Sequence, residues 1–209
     1  MIKEKYIVGL LISMQIAGII GFIYLPNWFV PLTSFNLLFS AYLVLHEPII
    51  KKELHFSTVG LIALFGFIIE WLGVQSGLLF GEYKYGSAFG FKIGGVPLLI
   101  GLNWAILLIC SASMFTKITN HKLYLPMLVA STMTLIDFFI EQVAMRFDFW
   151  YWKDLQIPVQ NYIAWFTVSF LLAFIFKNKI QLNNFKIPRL YLGLQLLFFI
   201  SLLIQQNLN

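Results

Sequence analysis

Seven apolar stretches divide the chain, separated by short segments where lysine, glycine or aromatic residues collect. They run approximately Tyr6–Tyr24, Phe29–Leu45, Ser57–Val74, Val96–Phe115, Leu123–Ala144, Val159–Phe176 and Leu190–Ile204. Most have roughly the 17–25 residues that an α-helix needs to cross a hydrocarbon core of about 30 Å. The second is the least regular, because Pro31 and Pro48 bracket it and Asn36 and Ser40 lie inside. Proline is tolerated at a helix start, so Pro31 reads as a boundary. The pattern predicts an all-α, polytopic membrane helix bundle of about seven transmembrane helices, built as one integral membrane domain over residues 1–209. No internal repeat or low-complexity tract interrupts it.

Composition strengthens the membrane reading. The chain is 60% hydrophobic and only 11% charged, against about 25% charged residues in a typical soluble domain. Its net charge of +5 is no nucleic-acid signal, since the 14 Lys and Arg lie almost entirely between the apolar stretches. There they set topology. Ten of them, including Lys51, Lys117 and Lys177, share a side with the amino end, while Lys84, Lys92, Arg146 and Lys153 occupy the other. The positive-inside rule then places the amino end in the cytoplasm of a cell with this chain in its inner membrane. The first apolar run is longer than the core of a secretory signal, about 7–15 residues. It ends at Leu25-Pro26-Asn27-Trp28 without a small-residue cleavage pattern, so it reads as a retained helix. Cys110 is the only cysteine and lies in an apolar run, which excludes an intrachain disulfide and a multi-cysteine metal site.

Two connecting segments are more than linkers. Gln75–Gly95 carries six glycines and five aromatics, the mark of tight turns on an aromatic surface and of a partly re-entrant path. Arg146–Gln160 contains Trp150-Tyr151-Trp152, a run that suits the headgroup interface, where amphipathic rings concentrate. The topology puts both segments on the same side.

Candidate chemistry rests on acids where acids are costly. Glu70 lies in the third stretch and Asp137 and Glu141 in the fifth. An ionised carboxylate near a helix centre costs about 2.5–3.5 kcal/mol on insertion scales, so apolar surroundings favour the neutral carboxyl. A carboxyl that keeps its proton can act as a general acid. Asp137 and Glu141 are four residues apart and share a helix face, which Thr134 and Ser131 continue inward. Asn161, Trp165 and Ser169 make a second polar face at the same spacing, and Asn103-Trp104 sets an amide beside an indole. Glu70, Asp137 and Glu141 fall late in helices running one way, Asn103 and Asn161 early in helices running back. The five groups therefore share one depth, beneath the two aromatic-rich segments. The competing reading is that they only hydrogen-bond one another and hold the helices together, contacts worth about 0.6–2 kcal/mol each.

The histidines exclude other chemistry. His46, His55 and His121 fall at the opposite helix ends, a membrane thickness from the acids, and cannot join them in a metal site. Three scattered histidines are also too few for a membrane di-iron centre. No phosphate-cradling loop or paired-cysteine motif is present.

Together the motifs resemble the carotenoid biosynthesis protein family, which includes membrane-integral carotenoid 1,2-hydratases of the lycopene and bisanhydrobacterioruberin type. Glu70-Trp71-Leu72-Gly73, then Phe80-Gly81-Glu82-Tyr83-Lys84-Tyr85, Gly90, Gly95-Val96-Pro97 and Trp104 are similar to its first signature. Asp137 followed by Trp150-Tyr151-Trp152, Pro158, Asn161 and Trp165 resembles its second. The matching residues span close to half of the chain. Glu141-Gln142 stands where the family pattern has Asp-Pro, and Asp154-Leu155-Gln156-Ile157 replaces a Gly-Tyr-containing run. These departures bear on the substrate more than on the chemical class.

The resemblance implies addition of water across the terminal C1–C2 double bond of an acyclic carotenoid end. Protonation at C2 gives a tertiary cation at C1, which water captures. The reaction needs a desolvated acid, a held water and aromatic faces, which stabilise a desolvated cation by about 2 kcal/mol. Asp137 or Glu141 is the expected proton donor, with Glu70 third. Asn103 and Asn161 would position water or the acid, and Trp104, Trp150, Trp152 and Trp165, with Tyr83 and Tyr85, would line the pocket for the chain end. No cofactor or metal is implied. The expected partners are membrane lipid, a lycopene-like or monocyclic carotene, and other enzymes of carotenoid synthesis. Two alternatives stay open: a carotenoid cyclase or isomerase that shares the protonation step, and a small proton-coupled membrane transporter.

Overall fold

Each apolar stretch is helical in the computed structural model, which describes residues 3–119, 121–182 and 184–208. Helix α1 covers Glu4–Tyr24; a short α2, Pro26–Phe29, passes through a 3-10 turn, Val30–Leu32, into α3, Thr33–Ile50. Then follow α4 (Phe56–Ser76), α5 (Leu98–Phe115), α6 (Tyr124–Ala144), α7 (Val159–Phe176) and α8 (Ile187–Leu208). With α2 and α3 taken together as Pro26–Ile50, seven helical segments are long and apolar enough to cross a membrane among the described residues. The fold class is the all-α bundle that the hydropathy pattern predicts.

Two local features differ from expectation. Pro48 does not end the second span, since α3 continues to Ile50 with Pro48 buried in its last turns. A proline there forfeits one backbone hydrogen bond, and burial of its ring compensates. The glycine- and aromatic-rich segments fold into two small antiparallel ribbons. Strand β1 (Tyr83–Tyr85) pairs with β4 (Trp150–Trp152), Tyr83 opposite Trp152 and Tyr85 opposite Trp150. Strand β2 (Lys92–Ile93) pairs with β3 (Val96–Pro97) just before α5. The two segments thus meet at one end of the bundle.

The β1–β4 ribbon obeys the two-residue period of a strand. Tyr83, Tyr85, Trp150 and Trp152 turn inward, while Lys84 is exposed and Tyr151 half-buried. Trp150 and Trp152 are only 8% and 4% exposed, so they are not an interfacial belt. At the ribbon's end the Lys153 amide donates to the Glu82 carbonyl at 2.9 Å, and the two side chains pair at 2.7 Å. That contact holds the Lys153 ammonium above its ordinary range. At the other end Ser87 donates its amide, at 2.8 Å, and its hydroxyl to Asp148.

Helix α5 occupies the centre. It packs against α3, α4, α6, α7 and α8, while α1 lies on α2, α3 and α8. The α4–α5 contact depends on glycine. A Cβ at Gly101 would strike the Ala63 carbonyl oxygen, and one at Gly66 would come to 2.5 Å from Trp104 Cβ. Small residues let helix backbones approach closely in an apolar medium. Here the approach seats the Trp104 indole, fully buried, between α4 and α7.

Overpacking such a contact costs about 1–3 kcal/mol, so Gly101→Ala should lower the thermal unfolding temperature of the detergent-solubilised protein. Gly60→Ala, at an exposed position of α4 with nothing within 4 Å of the added methyl, should leave it unchanged or raise it.

Candidate active site

Two buried carboxyl groups, each held by three donors, organise the ribbon end of the bundle. Glu70, in the penultimate turn of α4, is 3% exposed. Its Oε2 accepts the Tyr83 hydroxyl at 2.5 Å and the Tyr85 hydroxyl at 2.8 Å; its Oε1 accepts Trp104 Nε1 at 2.8 Å. Burial, and then the neighbouring Glu70, hold both phenols above their ordinary range, so they serve as neutral donors. Trp104 stacks on Trp165 of α7, ring centroids 4.2 Å apart and planes 13° from parallel.

Glu141, near the end of α6, is 2% exposed. Its Oε2 accepts Trp150 Nε1 at 3.0 Å and Trp152 Nε1 at 2.7 Å. Its Oε1 accepts Asn161 Nδ2 at 3.1 Å, and the same amide donates to Asp137 Oδ2 at 2.9 Å. The i, i+4 spacing of Asp137 and Glu141 lets one amide on α7 bridge both. Asp137 Oδ1 has no partner among the described residues.

Between the carboxyls lies a cavity of about 20 Å³. That is room for about one water, given the 10–15 Å³ a water site needs. Every proposed proton donor and substrate-binding residue of the sequence reading lines it except Asp137. Asp137 is completely buried and reaches the group only through Asn161. Phe80, Ile100 and Ile140 also line the cavity. Sequence reasoning passed over them because apolar side chains carry no chemical signature. The ribbon that delivers the two tyrosines and two tryptophans was missed as well, although the alternation in Tyr83-Lys84-Tyr85 and Trp150-Tyr151-Trp152 is a strand signal.

Asn103 is half-buried at the edge of this cavity and also lines a second one of about 250 Å³. The larger space lies among α1, α3, α5, α6 and α8, and nothing in the sequence pointed to it. His46, His55 and His121 stand at the far helix ends, and no group of three His, Cys, Asp or Glu among the described residues is placed to hold a metal ion.

The model of a protein family described as Carotenoid biosynthesis protein matches residues 28–207. That is most of the chain, which therefore belongs to this family. No match was found among the curated proteins or among the solved structures.

Removing one partner from a buried hydrogen-bonded acceptor costs about 1–3 kcal/mol. Asn161→Ala leaves Asp137 and Glu141 without their shared donor, and should destabilise the protein by about that amount in a detergent unfolding assay. The exposed neighbour Gln160 has no part in the carboxyl network, so Gln160→Ala should cost clearly less.

Proposed function

We propose that this membrane protein of the carotenoid biosynthesis family is a hydratase, which adds water across the terminal C1–C2 double bond of an acyclic carotenoid end. One observation carries the reading: two carboxyl groups, held by separate sets of donors, line a single cavity the size of one water. Hydration needs two proton transfers and one water, and such an arrangement supplies a partner for each.

Glu141 is the proposed donor. Its indole donors occupy Oε2, Asn161 ties its Oε1 to Asp137, and no cation lines the cavity among the described residues. With Glu70 ionised across the cavity, a second ionised carboxylate in this interior is costly, which favours keeping the proton on Glu141 until the alkene takes it. Transfer from Glu141 to C2 leaves the positive charge at C1. The faces of Trp104, Trp150, Trp152 and Trp165 stabilise it until water adds its oxygen to C1. The oxonium then releases a proton to Glu70, whose phenol donors stabilise its charged form. The product is a tertiary alcohol. Alkene and water are consumed one for one, and the proton passes back from Glu70 to Glu141 across the cavity. Asp137 is a positioning residue in this scheme, acting through Asn161.

The test is expression in bacteria that accumulate lycopene, with pigments separated by chromatography and weighed by mass spectrometry. A pigment heavier by one or two waters is expected from the native chain. General acid–base residues contribute roughly 10²–10⁴-fold, so Glu141→Gln and Glu70→Gln should lower product formation by about that factor, and Asp137→Asn by less. An altered pigment of unchanged mass would mean cyclisation or isomerisation. Full activity in both glutamate variants would end the acid assignment.

A further inference from the structure

The small cavity has room for about one water and none for a hydrocarbon chain, so the rest of the substrate needs a seat of its own. The larger cavity has the properties of that seat. One wall is α1, α2, α3 and α8, with Phe22, Phe29 and Phe199; the other is α5 and α6, with Leu107 and Ile136. Among the described residues no Asp, Glu, Lys or Arg lines it. Amides that reach it are partly engaged already, as Gln15 donates to the Leu194 carbonyl at 2.8 Å.

Its lining runs along the bundle. It extends from Phe89 and Phe149, in the segments at the ribbon end, past Asn103, in the second turn of α5 from that end, to Tyr191, in the second turn of α8 from the opposite end. At 1.5 Å per residue along helices of this length, Asn103 and Tyr191 are on the order of 15 Å apart along the bundle. Three residues, Asn103, Ile140 and Trp150, line both cavities. The two spaces therefore adjoin at an amide, an aliphatic side chain and an indole whose N–H is bonded to Glu141.

We propose that the larger cavity is the binding channel for the polyene chain of the substrate, and that the chain end stops at Asn103, Ile140 and Trp150. The inference rests on the hydratase reading for the chemistry at that end. It commits to the occupant by continuity: an uncharged, aromatic-walled space adjoins the acid-lined cavity at three shared residues. Hydrocarbon and water then occupy separate compartments. The Asn103 amide, which has no hydrogen-bond partner among the described residues, faces both and can hold the water against the incoming double bond.

Binding and chemistry can be tested separately on the purified full chain in lipid nanodiscs, with lycopene as the probe. Binding is read from the shift and induced circular dichroism of its visible absorption, and conversion from product mass. Gly18 lines the channel, and a Cβ there meets only the Phe198 ring, at 3.3 Å. Gly18→Leu should weaken lycopene binding at least tenfold. So should Thr33→Trp, at the start of α3. Gly9→Leu, on α1 with nothing within 4 Å, should bind and convert normally. Glu141→Gln should bind as the native protein does and form no product. Native-like binding in both channel variants, or no binding of lycopene to the native protein, overturns the proposal. Binding that the channel variants abolish, with no hydrated product from any form, supports the channel and overturns the hydratase reading instead.

Discussion

Six hydrogen-bond donors converge on two carboxyl groups in the dry interior of this bundle, and the ribbon end is organised around them. Tyr83, Tyr85 and Trp104 serve Glu70; Trp150, Trp152 and Asn161 serve Glu141. A buried carboxyl without donors is costly, and a buried indole N–H without an acceptor is costly too. Each satisfies the other. The result ties α4, α5, α6 and α7 to a pair of strands contributed by segments far apart in the chain.

That constraint explains features that look unrelated. The β1–β4 pairing sets the register in which two tyrosines and two tryptophans face the acids. The glycines of the α4–α5 contact let Trp104 lie deep enough to reach Glu70 and stack on Trp165. The Glu82–Lys153 and Ser87–Asp148 contacts close the ribbon at its two ends. A fully satisfied polar network in a low-dielectric interior is rigid, and rigidity is what a site needs to keep a water and an acid in fixed relation.

The arrangement also separates two kinds of surface. Around the acids the walls are aromatic and polar, with space for about one water. Beyond Asn103, Ile140 and Trp150 the walls are uncharged and mostly apolar, and the space is more than ten times larger. A reaction that joins water to a hydrocarbon benefits from this division, since water in excess would solvate the acids and weaken both the proton transfer and the cation–aromatic contacts.

Much of this could be read from the sequence by itself, because a bilayer leaves a chain few options. Apolar length determined the seven helices, and the expense of intramembrane acids marked out Glu70, Asp137 and Glu141 before any geometry was known. Helical spacing put Asp137 and Glu141 on one face, where Asn161 meets both. Tertiary structure alone decided that Trp150 and Trp152 turn inward to an acid rather than outward to headgroups. The same three letters suit either fate, and only pairing with Tyr83-Lys84-Tyr85 settles it. It alone decided that Asp137 stands behind Asn161 and off the cavity wall, since helical periodicity specifies a face and not a depth of contact with a neighbour. The apolar channel was invisible for a like reason. Its lining is drawn from several helices and is mostly of side-chain types that also face lipid, so the space between them exists only once the helices are packed.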